Sequence, residues 1–460
     1  MVFSSQTFLF FFLPLAGLCV LIRSKPVQNA LLLIASLIFY AWGEPKMVVL
    51  MVLVTLIAYG SGFAIVHFKA RPRAKKAVLI ASVVVILGNL VVFKYLNFLC
   101  RTFSLLGLSD PGIALPIGIS FYTFQILSYV IDLYRGKIAL QRNFFYLLMY
   151  VSFFPQLIAG PIVKYETVAQ QIDHRKETWA DFSAGCSRFI VGLGKKVLLS
   201  NQLAVVADRA FGLGDGLSAS FAWLGALCYT LQIYYDFSGY SDMAVGLGRM
   251  LGFEFMRNFN YPYIAKSVTE FWRRWHISLG TWFREYLYIP LGGNRVSKPR
   301  LFFNLLVVWA ATGIWHGASW NFLIWGLYFA VLLILEKAFL GKLLQKLPAA
   351  LQHLYTLFLV LVSWAIFAVE DFGHMGAYLK AMFGLGGGLT NDNVSYYFFS
   401  FLPMLIIAAV ASTPLAAKLW KRLPEKPRLA LLPILLLAGL VFSTAYLVDA
   451  TYNPFLYFRF

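Results

Sequence analysis

The residue of greatest chemical promise in this chain is His316. In the run Trp315-His316-Gly317-Ala318-Ser319-Trp320 it sets an ionisable imidazole inside an apolar stretch, Leu301 to Leu335, long enough to cross a bilayer. An imidazole takes up and releases a proton near neutral pH. At membrane depth it is costly, and it normally faces a bundle interior or a water-filled cavity, which marks a functional group. A neutral imidazole hydrogen-bonded between packed helices is the competing, structural reading.

A second chemistry-bearing stretch, residues 266–295, places Arg273, Arg274, Arg284 and Arg295 among two carboxylates and seven aromatic rings, with His276 directly after Trp275. That is too much charge for a lipid-facing span. Glu270 precedes Arg273 and Arg274 by three and four residues, which is ion-pair spacing on a helix. The alternatives are arginines that snorkel from an interfacial helix and a hydrogen-bonded structural His276. Residues 231–250 add Asp236, Ser238, Ser241 and Asp242 at what reads as a junction between two apolar segments. Asp242 has the position of an N-cap for the periodic run that follows. Asp236 lies deep in an apolar run and needs a cationic partner, for which an arginine of the 273–284 stretch is the expected choice.

The elements that must position these groups are membrane helices. The 460 residues are 60% hydrophobic and 13% charged, so the solvent is lipid. Apolar runs recur along the whole chain and predict about ten to twelve spans. They do not alternate as barrel strands would, and open sheet edges cannot be satisfied in hydrocarbon, so the expected fold is all-α. Net charge is +19. In a soluble protein that would suggest nucleic acid, but here the cations sit in short loops beside lipid headgroups and no nucleic-acid partner is expected. The run from His67 to Lys76 places its loop in the cytoplasm by the positive-inside rule, which puts the N-terminus outside. Positive charge follows the first apolar run, the flank order of an N-out span and not of a cleaved signal peptide.

Three zones differ in polarity within what reads as a single membrane-embedded domain, 1–460: plain scaffold spans over 1–100, a core over 101–336, and plain spans again over 337–460. In the core, Leu115–Thr123 and Ser152–Lys164 each combine Pro and Gly in an apolar run, predicting broken helices tolerated only against protein or water. The segment Asp173–Lys196 reads as an amphipathic helix in the interface. Four scattered cysteines lack CxxC spacing and six histidines lack an HExxH pattern, so neither a disulfide framework nor a metal is predicted. No GxSxG elbow suggests a serine acyl-enzyme.

The series LPIGISFYTFQ, FFPQLIAGPI, YDFSGYSDMAVGLGRMLGFEFMRNFNYPY, TEFWRRWHISLGTWFREYLYIPLGGNR and TGIWHGASWNFLIWG, in this order, closely resembles the membrane-bound O-acyltransferase family, and the terminal NPFLYFRF resembles its bacterial polysaccharide-acetylating branch. The resemblance implies a ring of helices, some re-entrant or interfacial, around a central tunnel. It implies an acyl donor from the cytosolic side, acetyl-coenzyme A or an acyl carrier, with no permanently bound cofactor, and a polysaccharide hydroxyl acceptor from the other side. Extracytoplasmic acetyl-transfer partner proteins and a bacterial inner-membrane location belong to the same expectation. It maps the family's invariant histidine onto His316, as general base, and its second catalytic position onto His276, which would polarise the thioester carbonyl, orient His316 or bind coenzyme A. Arg273, Arg274, Trp315, Asn321 and Asp236 are the donor-binding candidates. D-alanyl transfer to teichoic acid is the alternative substrate reading. A lipid or sugar transporter, or a scaffold for polysaccharide export, is the alternative without an enzyme.

Overall fold

The computed structural model describes residues 1–103, 110–214, 216–449 and 456, so most of NPFLYFRF lies outside the described residues. Among those described, every regular element is helical. Seven helices are long and apolar enough to cross a membrane: Met47–His67, Pro72–Thr102, Trp179–Phe211, Trp320–Leu344, Ala349–Ala368, Val394–Ala411 and Glu425–Asp449. Shorter apolar helices cover Phe8–Leu21 and Lys25–Ala41. The chain is therefore an all-α, multi-pass membrane protein. The seven fall below the expected ten to twelve because several apolar runs are folded as broken segments, such as Phe144–Ser152 and Phe154–Leu157.

The chain forms two compact units, Met1–Ile190 with Tyr240–Met256, and Val191–Gly239 with Arg257–Phe460. In the first, Phe3, Phe8, Phe12, Phe39 and Phe154 make an aromatic core with neighbouring ring centroids 4.9–6.3 Å apart. The two Pro/Gly breaks meet here: Gly118, at φ +76°, approaches so closely that a Cβ would lie 2.7 Å from the Leu157 carbonyl oxygen. Only glycine combines that φ with that contact.

The expectation for Asp173–Lys196 needs correction. Trp179 opens a helical stretch that runs to Phe211 and is of spanning length. Two of its cations are paired: Arg188 holds Asp242 at 2.8 Å, and Lys196 holds Asp236 at 2.6 Å. Asp242 is accordingly no N-cap, for Ala219–Met250 is one uninterrupted helix of 32 residues. Pairing, and not solvation, is what lets these carboxylates sit in apolar runs.

In the second unit, helices Lys298–His316 and Trp320–Leu335 form a tight hairpin. A Cβ on Gly313 would lie 2.3 Å from the Phe322 carbonyl oxygen, and one on Gly326 would lie 2.3 Å from that of Trp309. Small residues bring the backbones together, as helix association in lipid requires. Gly317 adopts extended backbone after His316 and ends the first helix, with the Phe322 ring against its Cα.

Candidate active site

The second unit carries the groups singled out in the sequence. Its central device is a pair of seven-residue helices, Val268–Arg274 and Ile277–Phe283, broken at Trp275 and His276. Ser267 caps the first, its hydroxyl accepting from the Glu270 N–H at 3.0 Å. The Glu336 carboxylate accepts from the Val268 and Thr269 N–H groups at 2.7 and 2.9 Å. Donors that would otherwise be orphaned at the start of the helix are thus satisfied. Glu270 holds Arg274 at 2.7 Å. Partial burial pushes the Glu270 carboxyl up, but the Lys266 amide and the Arg274 guanidinium outweigh it and hold it below the usual carboxylate range.

His276 occupies the left-handed region, φ 43° and ψ 54°. That conformation costs about 1–2 kcal/mol for a residue with a Cβ, and histidine is among the side chains found there most often. The segment 258–260 over-determines it. The Asn260 N–H donates to the Arg274 carbonyl and the Ile277 N–H to the Asn258 carbonyl, both at 2.9 Å, so the chain on each side of His276 is pinned. The Asn258 Oδ1 then accepts from the Ser278 N–H at 3.1 Å and the Ser278 hydroxyl at 2.9 Å, and lies 3.2 Å from His276 Nδ1. The ring is 1% exposed and packs edge-on to Phe237 at 4.6 Å.

A cavity of about 390 Å³ opens beside this break, lined by Trp272, Arg273, His276, Arg284, Thr312 and Lys337 among others. Two of its cations follow from π-helical turns, Arg284–Tyr288 and Glu336–Leu340, local widenings that recur at functional sites. Arg273, Arg284 and Lys337 are exposed, while His276 is buried. The cavity therefore grades from a cationic mouth to an imidazole interior. Such a gradient suits a ligand with an anionic head and an uncharged reactive end.

His316 closes the helix Lys298–His316 and is 2% exposed. Its ring stands edge-on to Trp325 at 5.0 Å and Phe367 at 5.5 Å. Trp315 touches both imidazoles, 5.1 Å from His316 and 6.0 Å from His276. The two histidines, 40 residues apart in sequence (316 − 276), are thus joined through one indole.

The other donor-binding candidates divide. Arg273 reaches the cavity, whereas Arg274 is committed to Glu270 and to the Asn260 carbonyl at 3.1 Å. Asp236 is not paired with an arginine of the 273–284 stretch, as expected, but with Lys196 at 2.6 Å, and it accepts the Leu456 N–H at 2.9 Å. Lys196 is nearer because the π-turn Lys195–Ser200 brings it to the helix carrying Asp236. Asn321 donates to the Phe367 carbonyl at 3.0 Å, fastening two helices. Asn258, Ser278 and Lys337 were not singled out by sequence reasoning. Asn258 sits in an irregular segment 18 residues before His276, where no periodicity relates them.

A buried imidazole lining a cation-edged cavity in a polytopic helical protein, with a second imidazole one indole away, is a candidate active site of a membrane enzyme. Residues 139–367 match the membrane-bound O-acyltransferase family. The chain is 44% identical over 400 residues, 85% of its length, to "Probable alginate O-acetylase AlgI" of Azotobacter vinelandii, covering 80% of that protein. It is 35% identical over 426 residues to "Peptidoglycan O-acetyltransferase" of Helicobacter pylori, 84% of this chain and 80% of that one. "Teichoic acid D-alanyltransferase" of Bacillus subtilis is more distant, 28% identical over 286 residues, 56% of this chain and 70% of that protein. The chain belongs to the membrane-bound O-acyltransferase family, and it is an O-acyltransferase.

Proposed function

We propose that the protein transfers an acetyl group from a cytosolic thioester, acetyl-coenzyme A, to a hydroxyl of an extracytoplasmic polysaccharide of the alginate type, directly or through acetyl-transfer partner proteins. The observation that carries this reading is the buried His276 lining a cavity whose mouth is cationic, with Trp315 between its ring and that of His316. Arg273, Arg284 and Lys337 suit the phosphates of a nucleotide-bearing thioester. His316 takes the proton of the attacking hydroxyl as its oxygen bonds to the thioester carbonyl carbon. The carbon–sulfur bond breaks and the imidazolium returns the proton to the departing thiolate. The apolar surroundings keep water away from the thioester. The names borne by relatives 44% and 35% identical favour acetyl transfer to a polymer over D-alanyl transfer.

The protein would sit in the bacterial inner membrane with the loop from His67 to Lys76 cytoplasmic and the N-terminus outside, next to anionic lipids. The test is release of coenzyme A from acetyl-coenzyme A by the detergent-purified chain, supplied with acceptor and partner proteins. Release dependent on His316 supports the enzyme. No release with every partner present favours a transporter.

A further inference from the structure

The helix Val268–Arg274 carries Arg273 to the cavity, yet seven residues are too few to hold a helix without outside support. That support comes from a carboxylate far away in the chain. Glu336, 8% exposed, accepts from the Val268 and Thr269 N–H groups and, at 2.6 Å, from the Thr269 hydroxyl, while the Tyr355 hydroxyl donates to it more weakly at 3.4 Å. All of these donors are neutral. The approach to the helix is tied a second time by His353. Its Nδ1 lies 3.1 Å from the Ala265 carbonyl, which can only accept, so the ring nitrogen donates. Lys337 follows Glu336 directly and lines the same cavity as Arg273. Glu336 therefore grips the helix of one cavity cation while its own peptide bond leads to another.

The two acids next to these cations in the chain are both turned to other partners. Glu270 precedes Arg273 by three residues but is committed to Arg274 and the Lys266 N–H, and Glu336 is committed to the helix start. Among the described residues, none that lines the cavity is acidic. We infer that Glu336 is a positioning residue of the cavity: it fixes the start of the helix Val268–Arg274, and so the placement of Arg273 relative to Lys337, and its hydrogen bonds to that helix keep its own charge from pairing with either. This rests on the acetyl-transfer reading only in taking the cavity's ligand to be a polyanion, and it deepens that reading. Three roles for Glu336 differ in sign. A carboxylate acting only through its charge would oppose an anion, so its removal would tighten anion binding. A carboxylate acting only as a brace would, on removal, lower the yield of folded protein and leave its affinity unchanged. A positioning carboxylate, on removal, lets Arg273 shift and weakens anion binding.

The test uses the full chain in detergent, with adenosine 3′,5′-bisphosphate as the anionic probe. Glu336→Gln keeps the size of the side chain but sets an amide NH2 against one of the helix N–H donors. It should raise the Kd of the probe about tenfold, the loss of one charge-assisted contact. It should raise the KM for acetyl-coenzyme A by a similar factor with kcat within about twofold, because Asn258 and the Asn260 N–H pin the chain on each side of His276 independently. Thr269→Val removes only the hydroxyl donor and should raise the Kd about threefold; it carries the test if Glu336→Gln does not accumulate. In an Arg273→Ala background, Glu336→Gln should add less than about twofold, since the group it places is gone. An unchanged or tighter Kd in the Glu336 or Thr269 variant, or full additivity with Arg273→Ala, overturns the assignment and leaves the acetyl-transfer reading standing. If the wild-type protein does not bind the probe, the polyanion reading of the cavity falls, and the role of Glu336 with it.

Discussion

His316 and His276 differ in surroundings although both are buried imidazoles. His316 is walled by Trp315, Trp325 and Phe367, while His276 borders the cavity and is fastened by Asn258. Loss of the base from a positioned site removes on the order of 100-fold or more of rate. His316→Ala should therefore abolish coenzyme A release at nearly normal accumulation in membranes. Loss of accumulation instead would return that ring to a structural role. The neighbouring arginines should separate by phenotype. Arg273→Ala should weaken binding of adenosine 3′,5′-bisphosphate with unchanged accumulation, because the side chain is exposed at the cavity. Arg274→Ala should lower accumulation, because it strands Glu270 and the Asn260 carbonyl. A titration series of the two variants, each normalised to protein level, distinguishes them.

Charge in the helices is managed at π-turns. Val91–Tyr95 holds Lys94, Lys195–Ser200 holds Lys196, Arg284–Tyr288 opens with Arg284, and Glu336–Leu340 carries Glu336 and Lys337. A widened turn moves a side chain off the regular 3.6-residue register, and from these turns Lys94 reaches Ser120, Lys196 reaches Asp236 and Glu336 reaches the Val268 and Thr269 N–H groups. The Lys196–Asp236 pair is the sharpest case, with both side chains at most 2% exposed. Removing one partner strands a buried charge and costs roughly 3–5 kcal/mol, while replacing both by apolar residues is far milder. Lys196→Met should therefore lower the thermal unfolding temperature in detergent more than Lys196→Met with Asp236→Leu. The hairpin Lys298–His316 with Trp320–Leu335 gives a second element-level expectation. Gly326→Ala should deplete folded protein, since its methyl group would meet the Trp309 backbone oxygen, and size-exclusion recovery from membranes reads this directly.

At the scale of the whole molecule, charge distribution and hydropathy determine topology. Part of the net +19 sits in the run from His67 to Lys76, which joins the helix Met47–His67 to the first turns of the helix Pro72–Leu90. With the four native cysteines replaced by alanine, Lys69→Cys should react with a membrane-impermeant maleimide only after the bilayer is opened, and labelling of intact cells would invert the proposed orientation. Lys69 is exposed, so access to reagent reports sidedness and not burial.

The all-α membrane class, the broken core helices and the burial of His316 and His276 were legible in the sequence, because hydropathy, Pro/Gly placement and rare intramembrane polar residues are local signals. Which charge meets which was not. Asp236 finds Lys196 and not an arginine, Asp242 finds Arg188 instead of capping a helix, and Asp173–Lys196 feeds a spanning helix instead of lying flat. Asn258 reaches His276 from an irregular segment, and Lys337 reaches the same cavity from a helix more than 60 residues further on (337 − 276 = 61). Composition and spacing constrain what one stretch of chain can do in lipid. The contact of Asn258 with His276 and the edge of the cavity depend on side chains brought together by packing, and packing of distant segments leaves no periodic mark along the chain.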